Sequence, residues 1–155
     1  MSYRRYLLFA LALTAAGCGI LDPDGGAQGE LEDNRERWES VRPVAYAVVI
    51  ERICFCGEEA RGPVRVLVQG TIPTERVYTE SGQAVSAELA PFFPTIDGLF
   101  DVLADAFDRD AHEVRVTYDG ETGIPVDVWI DYEQYTADEE LGFAVTVPID
   151  TDPLN

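Results

Sequence analysis

Thr95-Ile96-Asp97-Gly98-Leu99-Phe100-Asp101-Val102-Leu103-Ala104-Asp105-Ala106-Phe107 is the stretch from which the fold is read. Ile96, Leu99, Phe100, Leu103 and Phe107 recur at helical spacing, Thr95 is placed to cap the N-terminus, and the loop Pro91 to Pro94 leads in. Asp97, Asp101 and Asp105 stand four apart on the outer face, like charges that cost about a few tenths of a kcal/mol per pair. The apolar stripe must therefore be well packed to hold this helix.

Three strand-like runs follow it: Val114, Val116 and Tyr118; Val126, Val128 and Ile130; Leu141, Phe143, Val145 and Val147. Asp119-Gly120 and Thr122-Gly123 turn the first pair, and the polar stretch Tyr132 to Glu140 links the last two. The same order precedes it. Leu31 to Arg42 reads as a helix, with Leu31, Trp38 and Val41 on one face, Asp33/Arg37 and Arg35/Glu39 spaced four apart outside it, and Pro43 as its stop. Val44, Tyr46, Val48 and Ile50 then alternate with Ala45, Ala47, Val49 and Glu51, a period of two that marks a strand. After a turn at Gly57 to Gly62, Val64, Val66 and Val68 form a second strand closed by Gly70, and Glu75 to Thr79 a short third. The expected architecture is α+β in the order αβββαβββ, an antiparallel sheet of about six strands with two helices on one face. In that order it resembles small PepSY-type modules, a likeness of fold that implies no function.

Outside this domain, assigned to residues 31–150 with a tail over 151–155, the N-terminus reads as an address. Arg4 and Arg5 form a basic start, Tyr6 to Ala16 an uncharged apolar stretch, and Ala15-Ala16-Gly17-Cys18 a small-residue cleavage site ending in a cysteine suited to acylation. Eleven apolar residues reach about 16 Å as a helix, whereas a bilayer core needs roughly twenty, so residues 1–17 are a lipoprotein signal rather than a span. Cys18 is the expected lipidation site, and residues 18–30, rich in glycine and acid, the expected tether. The domain would then face out of the cytoplasm at the cell envelope. Gly19 replaces the aspartate that marks inner-membrane retention, which favours the outer membrane in a diderm host.

The chain has 155 residues and a formal net charge of −18. Loss of Arg4 and Arg5 with the signal leaves nine basic groups against 29 acidic ones, a net of −20. All eleven basic groups are arginine. Nucleic acid is excluded as a partner, since phosphate binding needs clustered cations.

Trp38 on a helix, Tyr46 early in a strand, Cys54-Phe55-Cys56 at a strand end, Val64-Arg-Val-Leu-Val-Gln-Gly70, Thr95-Ile-Asp-Gly-Leu-Phe100, Tyr118-Asp119, Gly123-Ile-Pro-Val126 and Asp138-Glu139 occur in this order. Together they resemble the DUF6174 family of lipoproteins over roughly residues 35 to 147. Ile124 departs from the pattern, where an aromatic is expected. The family has no assigned function, so the resemblance implies a lipoprotein address and a compact α+β fold but no substrate.

With Cys18 lipidated, Cys54 and Cys56 remain as a pair that an oxidising compartment would join. In an extended strand their Cα atoms would stand roughly 6.6 Å apart, near the limit for a disulfide, so a bend is needed and Gly57 could permit one. The pair is a static clip or a strained, redox-active disulfide. A metal site would have only Cys54, Cys56 and the single His112, and nothing in their spacing brings them together. One histidine and no lysine leave little for hydrolytic catalysis. Asp127, Trp129 and Asp131 alternate on one side of a strand and offer either a polar ligand-facing surface or plain amphipathicity. Carboxylates such as Asp138, Glu139 and Glu140 cluster no more than 29 acids would by chance. No catalytic residue, metal or cofactor is assigned. The expectation is a non-enzymatic binding module at the envelope, joined to the membrane through Cys18 and to an envelope protein partner, with a thiol–disulfide role for Cys54 and Cys56 as the alternative.

Overall fold

Pro23 opens the first helix, α1 (Pro23–Val41), in a computed structural model that describes residues 23–136 and 138–146. The residues read as a signal, Cys18, Val147 of the last expected strand and the expected tail lie outside the described residues. Residues 23–30, expected as tether, are instead helical. Gly25, Gly26 and Gly29 weaken a helix by roughly 1 kcal/mol each, and so suggested a flexible segment. Proline at the first helical position needs no N–H partner, however, and the helix is held downstream by burial of Leu31, Asn34 and Trp38. The helix ends before Pro43 as expected. Val41, read as part of the inner face, is 49% exposed at the last residue of the helix.

Strands β1 (Ala45–Ile53), β2 (Val64–Gln69) and β3 (Ile72–Tyr78) form an antiparallel meander. Helix α2 (Ile96–Asp108) crosses to a second meander, β4 (Glu113–Tyr118), β5 (Pro125–Asp131) and β6 (Leu141–Thr146). The third strand starts earlier than expected because Gly70-Thr71 makes a two-residue turn, with Gly70 at φ +63°, that pairs Gln69 with Ile72. The six strands lie in the order β3-β2-β1-β6-β5-β4, every neighbour antiparallel. The two meanders are therefore not joined symmetrically: the first strand of one meets the last strand of the other.

Both helices cover one face. Tyr46, Val48 and Ile50 of β1, Val64, Val66 and Val68 of β2, Val128 and Ile130 of β5, and Phe143 and Val145 of β6 point into a single core. Leu31 and Trp38 enter it from α1, and Ile96, Leu99, Phe100, Leu103 and Ala106 from α2. Thr95 caps α2 as expected, its Oγ1 accepting from the Gly98 N–H at 3.1 Å.

The aspartates along α2 are not left to repel one another. Asp97 pairs with Arg42 at 2.7 Å, Asp101 with Arg35 at 3.0 Å and Asp105 with Arg109 at 3.2 Å. Arg35 thus reaches across to α2 rather than to Glu39, and Arg37 donates to Asn34 Oδ1 at 2.8 Å rather than to Asp33.

Candidate functional site

The regular pairing of β1 ends at Ile53, where the chain bends through Cys54-Phe55-Cys56. The Cys56 N–H donates to the Cys54 carbonyl at 2.9 Å, a three-residue turn that draws the two Cα atoms to 5.3 Å and puts the sulfurs in disulfide contact. The bend anticipated from the spacing is present, but Gly57 does not make it. Gly57 has φ −66° and ψ 158°, an extended conformation open to any residue, and a Cβ there would meet nothing within 4 Å among the described residues.

Beyond Gly57 a single 3₁₀ turn, Glu58–Ala60, buries Ala60 and returns the chain. The Arg61 carbonyl then accepts from the Arg52 N–H at 2.7 Å, which closes the base of the loop. Phe55, at the tip, is 80% exposed.

Arg52 is the neighbour that matters chemically. Its Nη1 lies 3.3 Å from Cys54 Sγ and 3.7 Å from Cys56 Sγ. The guanidinium also sits 4.6 Å from the centroid of the Phe92 ring, which fixes it from the loop before α2. Partial burial pulls its pKa below the usual arginine value. A cation held beside two sulfurs favours the thiolate form of whichever sulfur is released. Sequence reading passed over Arg52, although the signal was there: Arg52, Cys54 and Cys56 share the period of two that put Val48 and Ile50 on one side of the same strand.

The opposite face of the sheet carries a second feature. Asp127, Trp129 and Asp131 do alternate there, opposite Thr117, Arg115 and Glu113 of β4. Trp129 faces Gly142 of β6, and Ile53 faces Gly142 from the other side. A Cβ at Gly142 would stand 3.2 Å from Ile53 and 3.3 Å from the indole, so the glycine leaves room for Trp129 and Ile53 to close over β6. Arg115 approaches the Trp129 ring at 5.8 Å, and a shallow cavity of about 320 Å³ opens between Ile53, Arg115, Asp127 and Trp129.

Other sequence-highlighted residues build the scaffold. Tyr46 meets Trp38 edge-to-face at 5.2 Å and accepts from the Ile96 N–H at 3.3 Å; burial, then the charge of Asp97, pushes its pKa to about 12. Asp119 Oδ1 accepts from Thr122 Oγ1 at 2.6 Å and from the Thr122 and Glu121 N–H groups, bonds to Thr122 first among them holding its carboxyl below the usual range. Gly123, at φ +77°, lies so close to α1 that a Cβ would run into the Asn34 carbonyl. His112 is exposed at the start of β4 and lines a cavity with Ala27, Gln28 and Phe107, apart from the residues that line the two features above. Glu139 accepts from the Glu133 N–H within the β5–β6 connection. Among the described residues, no three His, Cys, Asp or Glu side chains are grouped to hold a metal ion, and no helix is long and apolar enough to cross a membrane.

The chain belongs to a family of unknown function, DUF6174, whose model matches residues 30–147. No curated protein and no solved structure matches it.

Proposed function

We propose that this member of a family without assigned function is exported, held to the cell envelope by a lipid on Cys18, and works there as a non-enzymatic binding module for a protein partner. The sequence of residues 1–18 supports the address, and Gly19 favours the outer membrane in a diderm host. The observation that carries the binding role is the patch of Ile53 and Trp129 over Gly142, on the face of the sheet opposite the helices. Carboxylates of Glu51, Asp127 and Asp131 share that face, and the mature chain is strongly acidic. The complementary partner is a protein surface with an apolar centre and a basic rim.

The test uses the full chain as bait against envelope extracts. Wild type is expected to retain a basic partner at low salt, with retention falling as salt rises, and Ile53→Glu to lose it while melting like wild type. Empty pull-downs at both low and high salt would sink the reading.

A thiol–disulfide role for Cys54 and Cys56 is the second reading. The contact of Arg52 with both sulfurs favours it.

A further inference from the structure

Resting on that second reading, we infer that Cys54-Phe55-Cys56 is an exchange site for a protein dithiol, in which Cys56 is the sulfur attacked and Arg52 receives Cys54 as the departing thiolate. Two observations assign these roles, and two more the kind of partner. Arg52 Nη1 touches both sulfurs and lies nearer Cys54 Sγ, at 3.3 Å, than Cys56 Sγ, at 3.7 Å, so charge building on Cys54 meets the guanidinium at the shorter distance. Cys56 is followed by Gly57, which puts no side chain beside it. Attack on a disulfide runs along the sulfur–sulfur axis from the side away from the leaving sulfur, and the missing side chain at position 57 removes one neighbour that could hinder an incoming group at Cys56. Phe55, between the two cysteines and 80% exposed, offers an apolar contact to a peptide segment, and the exposed Glu58 and Glu59 beyond Gly57 disfavour anionic small thiols.

The exchange balances as follows. A partner thiolate attacks Cys56 Sγ, forming a bond between the partner sulfur and Cys56 as the Cys54–Cys56 bond breaks, and Cys54 leaves with the electron pair beside the Arg52 guanidinium. Cys54 takes up the proton given up when the first partner thiol ionised. The partner's second thiol loses its proton and attacks the partner sulfur of the mixed disulfide, releasing Cys56 as a thiolate that takes up this second proton. Two electrons and two protons pass from the partner dithiol, which becomes a disulfide, to the Cys54 and Cys56 pair, which becomes a dithiol. A disulfide on another envelope protein reoxidises the pair by the same steps in reverse.

The test treats the full chain with cysteamine, a cationic monothiol that stops at the mixed disulfide, then alkylates free thiols and maps both groups by tandem mass spectrometry. Cysteamine is expected on Cys56 and the alkyl group on Cys54, with a preference of about tenfold or more. Arg52→Gln should slow adduct formation by about tenfold and even out the preference, while Arg52→Lys keeps it. The wild-type map needs no variant to fold. Cysteamine chiefly on Cys54, or an Arg52→Gln protein with wild-type rate and preference, would overturn the assignment yet leave the thiol reading standing. No adduct with cysteamine and no reduction by dithiothreitol would end both.

Discussion

Arg42, just past the end of α1, donates from Nη1 to Oδ1 of Asp97, in the first turn of α2, at 2.7 Å. The Trp38 indole N–H donates to the same oxygen at 3.1 Å, so one carboxylate ties two helices at their junction with β1. Asp97→Ala leaves a partly buried guanidinium and an indole N–H without their acceptor. The expected loss is about 1–3 kcal/mol, read as a lower urea midpoint with an unchanged slope. A midpoint within error of wild type would show that the tie contributes nothing.

Tyr46 gives the fold an alkaline limit. Its folded pKa of about 12 lies above the ordinary value of 10.0, and Tyr118 is raised to about 12 as well, by burial and then Glu30. A raised pKa means that the unfolded chain releases these protons first, so the associated stability is complete below pH 10 and is lost as pH climbs toward 12. Unfolding followed across that window should show a decline that shrinks in Tyr46→Phe and shrinks further in the double variant with Tyr118→Phe. An equal decline in all three proteins would exclude both phenols as its source.

Two glycines should respond in opposite ways to alanine. Gly123→Ala combines a left-handed backbone, φ +77°, with a Cβ driven into the Asn34 carbonyl, and is expected to cost about 1–3 kcal/mol. Gly57→Ala, extended and facing open space, should be neutral or stabilising by up to about 1 kcal/mol. Thermal melts of the two variants beside wild type provide the check.

The proposed address has a mass signature. Mature protein isolated without reductant should start at Cys18, carry acyl chains there, and have Cys54 and Cys56 two hydrogens lighter than the free thiols. Cys18→Ala should abolish the acyl mass and release the protein from membranes. A soluble, unmodified chain retaining Met1 would contradict the anchor.

Period and punctuation in the sequence were enough for α2 and for the body of the strands, because Ile96 to Phe107 and Tyr46 to Ile50 repeat at 3.6 and 2.0 residues, but Val44, read into the same run, stands outside β1 and is 86% exposed, and β3 starts before its expected Glu75. What escaped was decided at a distance. Helix α1 begins at Pro23 against the local preference of three glycines, because its downstream turns are buried against the core. Arg35 left the Glu39 pairing for Asp101, a residue 66 positions away. At the candidate site the cysteines were legible from their type and spacing, whereas Arg52 was passed over although it shares their period of two. The part played by Phe92 was not legible, since only folding brings the loop before α2 over the end of β1. The bend itself came from backbone pairing between Cys54 and Cys56 rather than from the adjacent glycine.

The seam between β1 and β6 has a temporal consequence. Val49 pairs with Thr146, so the two strands at the middle of the sheet come from opposite ends of the domain. A chain made from its N-terminus can pair β1 with β2 early, but the other side of β1 stays open until nearly the whole domain has emerged. During that interval its unpaired N–H and C=O groups, on a strand rich in valine and isoleucine, present an edge that any passing strand could adopt. Slow production of the C-terminal third, or loss of it by truncation, should therefore send the protein toward aggregates rather than toward a smaller folded domain.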